Sequence, residues 1–549
     1  MKYLNKFIVI ILLAIFTACS SDILDETPPH FIATDNLYMS FEGLETGING
    51  LYSLVRSERE GFGTQLIADM VMNGTDNICT NHRLAGFNTI AFEWGDVNNP
   101  SQDFYSNVFE WLYSIVNASN TIIEFVEKNS DDIDWKDIDN KNRVLAEARA
   151  VRGWAYRHLS FGWGDVPLNL DPSIGSFIKT DWQRAPVSEV REQIISDLLF
   201  AEKIIPNEAF LPGRMTKGAV QHYLSEMYLT INKPDSGLYW ANQVINNGAY
   251  RLITNRYGVK SNQPGVPFMD MFQDGNTNRE EGNTEALWVF QFENNVIGGG
   301  TNGIMRRHHI SRYVNINIGG VAPLQYTIER GGYGLGRMSL TKWAINNYEP
   351  QDDRGSHYAI RKFFILRDAT DNAPSAADRL PPGWNYGDTL HLNWNVDISP
   401  QSNSRTNWPY SRKVEDVDPA NISGSNGFKD AIYLRIAETY LLRAEAQYLL
   451  GNLDNAAESI NILRRRANAS EISASDVTID FILDERSREL VLEEHRRYTL
   501  LRTGKWLERT RKYNFYGGER ISEKDILFPI PQIVIDANLT EVMPQNPGY

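Results

Sequence analysis

The strongest folding constraint in this chain is a helix-turn-helix pattern that occurs twice, each copy spanning about 34 residues. In the later copy, AETYLLRAEAQYLLGNLDNAAESINILRRRA, Gly451 falls at the turn, and Ala456 and Ala457 follow it. Small residues at those positions let paired helices approach closely. The earlier copy, GAVQHYLSEMYLTINKPDSGLYWANQVINNGAY, sets Lys233, Pro234 and Asp235 at the turn and Ala241 at the matching small position. Over 216–231, residues Ala219, Val220, Tyr223, Leu224, Met227, Tyr228 and Ile231 fall on one apolar stripe of a helix. The pattern is tetratricopeptide-like and predicts a mostly α chain built on a helical-repeat scaffold. Helical periodicity begins near Phe41, and further helices are predicted over 142–161 and, as one continuous element, over 479–502.

Between about 255 and 425 the periodicity dissolves into glycine, asparagine and aromatic residues, broken by a strand-like run over 286–292. Loops of that length on a rigid frame tend to carry function. Length alone, 549 residues, would suit three or four domains. Helical arrays exceed that prior. The expected organisation is a single domain over 31–549, with a helical frame at about 31–254 and 426–549 and a loop-rich ligand-binding region at about 255–425.

At the N-terminus an apolar run, 7–16, follows Lys2 and Lys6 and ends at Thr17, Ala18 and Cys19. It is shorter than the roughly 20 residues that span a bilayer. Its basic start and small residues before the cysteine have the form of a cleaved export leader. Residues 1–18 are therefore expected to be removed and Cys19 to become a lipidated N-terminus, although Phe16 stands where such leaders usually carry leucine. The polar, proline-bearing stretch over 19–30 that follows is a tether. Cys79 is the one other cysteine, so no disulfide framework exists. The net charge of −15 makes nucleic acid an unsuitable partner.

Several separated segments resemble one family, the SusD/RagB outer-membrane lipoproteins of Bacteroidetes. After the cysteine, SSDILD resembles the family's opening and ATDNLYMSFEGLETGINGLYSLV its first helix. AEARAVRGWAYRHLSFGWGDVPL resembles the hallmark helix that runs into Phe-Gly-Asp-Val-Pro-Leu, with Trp163 as an insertion. GRMTKGAV, ILDERSRELVLEEHRRYTLLRTG, FPIPQ and QNPGY follow in the family's order. The resemblance implies a non-enzymatic binding protein on the cell surface, anchored in the outer membrane by its N-terminal lipid. It would capture a glycan, or a peptide in the RagB-like branch, and pass it to a SusC-type TonB-dependent transporter. It also implies that the helical frame contacts the barrel while loops opposite hold the ligand. No cofactor or metal is implied.

A sugar ring offers a flat patch of C–H groups and a rim of hydroxyls, so its site needs aromatic planes bordered by amides or charges. Trp94, with Asp96, Asn98 and Asn99 beside it, is the first candidate, because the family resemblance places ligand contacts in this stretch. Trp384 and Tyr386 in PPGWNYGD, Trp394 in HLNWNVD, and Tyr326 and Tyr333 around ERGGYGLG are the others. Trp111, Trp154 and Trp240 sit at apolar helix positions and are expected in the core.

The segment 295–343 carries Arg306, Arg307, Arg312, Arg330, Arg337 and Lys342 against the single acid Glu329, a local +5 in a chain of −15. Such a field suits an anionic cargo, with Arg307 as a candidate contact, unless these cations pair with acids such as Asp352, Asp353 or Asp368. Catalytic motifs are absent: there is no Gly-x-Ser-x-Gly elbow, His-Glu-x-x-His helix or Walker A loop. Gly298, Gly300 and Gly303 match Gly-x-Gly-x-x-Gly without a βαβ context and are expected in a flexible loop. His308 and His309 are expected at the surface. A glycan-cleaving carboxylate pair is the distant alternative. The charges of 485–502, Arg486, Glu489, Glu493, Arg496 and Arg497 among them, are expected to form structural ion pairs along one helix, facing the transporter.

Overall fold

A computed structural model describes residues 37–62, 65–81, 86–173, 179–369, 377–394 and 403–549. The leader, Cys19 and the tether lie outside these residues. The first helix, Phe41–Glu60, begins at Ser40, whose hydroxyl accepts the Gly43 N–H at 3.1 Å. The frame then runs as a stack in which each helix packs on the next. Its order is Asp103–Lys128, Ile138–Gly162, Val187–Glu202, Lys217–Thr230, Pro234–Asn246, Ile436–Leu449 and Leu453–Arg466. The two predicted helical pairs are thus neighbours, since Pro234–Asn246 lies against Ile436–Leu449 with the whole middle region between them in sequence. Ala241 and Ala456 are fully buried, as close helix approach requires. Pro234 opens its helix at the first turn, where no N–H is needed, and Gly451 turns the later pair at φ 76°. Among the described residues, no helix is long and apolar enough to cross a membrane.

Two helices differ from expectation. Lys217–Thr230 is buried nearly all round, including Gln221, His222 and Glu226, because neighbours cover it on several sides. The helix predicted over 479–502 is broken into Ile479–Leu490 and Arg496–Arg502, with Leu492 at φ 65° between them. The break sets Glu493 against Arg435 at 2.6 Å, and the helix before it aims two further carboxylates at arginines of other elements. Glu485 accepts from Arg354 at 2.7 Å and Arg464 at 2.9 Å. Glu489 accepts from Arg435 at 2.6 Å and Arg354 at 3.0 Å. Arg496 reaches Asp76 at 2.6 Å. These charges are buried, so they brace the interior and do not form a surface for a partner. Each stays ionised only because it is paired and hydrogen-bonded.

The middle region is ordered by short elements around small cores of its own. Ala286–Phe290 pairs antiparallel with Ala431–Arg435 and ties both ends of the region to the frame. Ile78–Thr80 pairs with Met338–Leu340 and ties its centre to the N-terminal part. Phe363–Ile365 pairs with Thr389–His391 over a cluster of Ile310, Tyr313, Leu324, Phe364, Leu390 and neighbours. Trp111 and Trp154 are core residues as predicted, whereas Trp240 is half-buried. His308 and His309 are buried, contrary to expectation. His308 sits between Asp69, 3.1 Å away, and Arg337, 2.8 Å away, so its polar atoms are used internally.

Candidate functional site

The loop around Trp94 does not form the site. Trp94 follows the short helix Phe87–Glu93, adopts φ 46°, and is 1% exposed. Its ring meets Phe87 at 5.9 Å and Trp506 at 5.5 Å, both edge-on. Asn98 is fully buried: its Nδ2 donates to Asp525 Oδ1 at 2.6 Å and to the Tyr549 hydroxyl at 2.7 Å, while Tyr105 donates to its Oδ1 at 2.5 Å. Asn99 braces its own turn, donating to the Asp96 and Val97 carbonyls and accepting from the Ser101 N–H. Trp94, Asn98 and Asn99 are therefore corrected from ligand contacts to structural residues. A polar loop reads as exposed in sequence, yet here its amides find partners up to 451 positions away.

A different group converges in the middle region. Tyr326 and Tyr333 flank a tight turn in which Gly331 donates to the Ile328 carbonyl and Gly332 to that of Thr327, both at 3.1 Å. Gly331 and Gly332 adopt φ 81° and 73°, a conformation costly for any residue with a Cβ. The turn sets the two tyrosine rings 5.4 Å apart at 66°. Tyr326 also leans edge-on against Tyr313, 5.8 Å away, which is buried in the cluster beneath. Both site tyrosines are half-buried.

Three arginines interact electrostatically with this pair, Arg312 with Tyr326, and Arg307 and Arg405 with Tyr333. Arg307 lies on the short helix Gly303–His309, and its carbonyl accepts the Leu335 N–H at 2.9 Å, holding the Tyr333 segment beside the helix. The Arg312 N–H donates to the Arg405 carbonyl at 2.7 Å, and Arg405 Nε donates to the Leu335 carbonyl at 2.9 Å. Arg307, Arg312 and Arg405 are all half-buried. Among the described residues none of the three has a carboxylate partner. The one side-chain bond of Arg307 among the described residues is Nε to the Gly303 carbonyl of its own helix, at 3.3 Å, and buried Arg312 Nε finds no acceptor there. Burial lowers the pKa of Arg307. Burial and then the charge of Arg312 lower that of Arg405. Burial, followed by the charge of Tyr333, pushes Tyr326 up to about 12, so its phenol stays protonated as a donor.

The remaining cations of the segment are spoken for in part. Arg330 is buried and pairs bidentately with Asp378, and buried Arg306 donates to the carbonyls of Asp416 and Gly424. Arg337 faces His308. The acid that binds Arg330 is therefore not one of the three expected, and Asp352 pairs with Arg354. Trp384 is half-buried against the same cluster as Tyr326. Tyr386 is 42% exposed, its hydroxyl 3.3 Å from the Asp378 carbonyl. Asp378 also accepts the Gln325 N–H, so the Trp384 loop is pinned beside the Tyr326 segment. Trp394 is half-buried and donates to Asn346 at 3.0 Å. Arg405 was not foreseen: it lies far from Tyr333 in sequence, and no local signal links them.

Glu58, His158 and His495 bring ligand atoms within 4.8 Å of one another in the core. His495 donates to Glu58 at 3.1 Å and receives Arg157 at 2.8 Å on its other nitrogen, and Tyr433 donates to the second Glu58 oxygen. Glu58 and His495 are engaged and an arginine adjoins them, so a dication fits poorly, although His158 Nε2 has no hydrogen-bond partner among the described residues.

Two family models match the chain. "SusD family" covers residues 284–549 and "Starch-binding associating with outer membrane" covers residues 24–229. A SusD-like protein, P25, of Formosa agariphila is 24% identical over the full length of both chains. Among solved structures, surface glycan-binding protein A of Bacteroides thetaiotaomicron superposes with a TM-score of 0.67 at 18% identity, covering 93% of this chain and 100% of that one. A laminarin-binding SusD-like protein gives 0.66 at 20% identity, covering 92% and 99%. At such identities the structural likeness establishes the fold.

Proposed function

This chain belongs to the SusD/RagB family, and on that premise we propose that it is a non-catalytic glycan-binding lipoprotein of the outer-membrane surface. The observation that carries this reading is the Tyr326–Tyr333 pair, half-exposed and bordered by guanidinium donors. Tyrosine rings supply planes for the C–H faces of a sugar, and phenol and guanidinium N–H and O–H groups supply donors for its rim. Trp384 and Tyr386 extend the same surface. The names of two structural neighbours, laminarin-binding and surface glycan-binding, support a saccharide ligand. Lipid on Cys19 would hold the protein at the membrane, and a SusC-type transporter would receive the cargo. Tethering raises the effective concentration of cargo at the pore, so modest affinity suffices.

The test is native affinity electrophoresis of the mature chain lacking Cys19 through gels carrying single polysaccharides, followed by product analysis. Retardation without cleavage is expected. Cleavage would restore the enzyme alternative, and passage through every gel unretarded would move the assignment to peptide cargo.

A further inference from the structure

From this geometry we infer that the site takes an acidic saccharide, carboxylated or sulfated, whose anionic group is held by Arg307, Arg312 and Arg405 while a sugar ring lies against Tyr333 and Tyr326. The inference rests on the glycan-binding reading and adds the charge class of the ligand.

Arg312 and Arg405 repel one another beside the tyrosine pair, and Arg307 interacts with Tyr333 of the same pair. Part-burial withdraws some of the water that would screen them. Elsewhere this chain answers the same problem with carboxylates: Arg330 has Asp378, Arg354 has Asp352 and Glu485, and Arg435 has Glu493. At the tyrosine pair no described carboxylate plays that part, although Asp and Glu outnumber Lys and Arg by 69 to 54 in the chain. A cluster left uncompensated in an acidic protein is complementary to an anion from outside. The guanidinium fork matches the oxygens of a carboxylate or sulfate bidentately, which a lone hydroxyl cannot do. Arg307 and Arg405 anchor through Nε, to the Gly303 and Leu335 carbonyls, and this leaves their terminal N–H groups for a ligand. The tyrosines then provide what an ion site alone would lack, a plane for the ring that bears the charge.

The experiment uses the mature chain in gels containing polygalacturonate, a sulfated fucan or laminarin, each at low and high salt. Retention by an acidic polymer at least tenfold stronger than by laminarin, and weakened by salt, is expected; the uronate and sulfate arms distinguish the two anions. Arg307→Gln combined with Arg312→Gln should lower acidic retention at least tenfold and remove its salt dependence. Its melting temperature should be unchanged or higher, because two uncompensated cations are gone. Arg520→Gln, at an exposed ion pair with Glu93, is the control and should alter neither. Should the double variant fail to fold, protection of the wild type by trigalacturonate but not by maltotriose in thermal unfolding carries the same test. Equal, salt-insensitive retention of acidic and neutral polymers would overturn this inference and leave the glycan reading standing. Retention of none would overturn the glycan reading itself. Acidic retention untouched by the double variant would place the anion elsewhere.

Discussion

The ring of Tyr333 stands 5.4 Å from that of Tyr326 across a turn whose glycines, Gly331 and Gly332, hold positive φ. Tyr326 is seated on Tyr313 and the small core beneath it, while Tyr333 belongs to neither that core nor the main frame's, so neither ring is needed to fill the main frame. Aromatic anchors of this kind dominate binding energy when truncated. Tyr333→Ala should weaken retention by a bound polysaccharide roughly tenfold, a change of about 1.4 kcal/mol, with little shift in melting temperature. Affinity electrophoresis alongside thermal unfolding checks both. A loss of stability with unchanged retention would mean that the ring is structural.

Trp94→Ala should do the opposite. The indole is buried against Phe87 and Trp506, with the Arg497 guanidinium 5.7 Å from its centre. Its removal leaves a large cavity and should cost about 3–5 kcal/mol. The fraction that remains folded should still be retarded by glycan as the wild type is. Urea denaturation measures the first effect and affinity electrophoresis of the folded fraction the second.

Asn98→Ala should also destabilise, by about 1–3 kcal/mol for each buried partner left unsatisfied. Tyr105, Asp525 and the C-terminal Tyr549 all bond to this one amide. Deleting Tyr549 alone should produce a smaller loss, because the other two bonds survive. The ordering of the two melting temperatures is the readout.

Stability should depend on pH in two separable ways. Burial alone would raise Glu485, but Arg354, Arg488 and Arg464 bring its pKa down to about 2. The stability it contributes is present above the unfolded value near 4.5 and is lost as pH falls through 2. Glu485→Gln should therefore be worst at neutral pH and approach the wild type in acid. Burial raises Asp430 to about 6, so the native state holds a proton that the unfolded chain has released. That contribution is complete below about 3.8 and declines as pH rises through 6. Asp430→Asn should gain on the wild type across that window in melting curves taken from pH 4 to 8.

Cys19→Ala should move the protein from the membrane fraction to the soluble one and abolish incorporation of a labelled fatty acid. Fractionation of expressing cells tests this without reference to ligand. Persistence in the membrane fraction of the alanine variant would point to retention by a partner.

The frame was largely legible because helix pairs follow local rules: period, turn residue and small residues at the crossing. Ala241, Ala456 and Gly451 were readable in that way. The break at Leu492 was not, since the groups that hold Glu493 there, Lys413 and Arg435, lie far away in sequence. Trp94 and the asparagines beside it show the same limit from the other side. A loop rich in tryptophan and asparagine has one composition whether it binds a sugar or closes over the core.

By itself the sequence determined the helical pairs, the family, and the excess of positive charge over 295–343. Only the tertiary structure decided which of those arginines are free. Arg330 meets Asp378, whereas Arg312 meets Arg405 and Tyr326, and Arg307 meets Tyr333. Pairing of charges is decided by distance in space, and short-range periodicity carries no information about it.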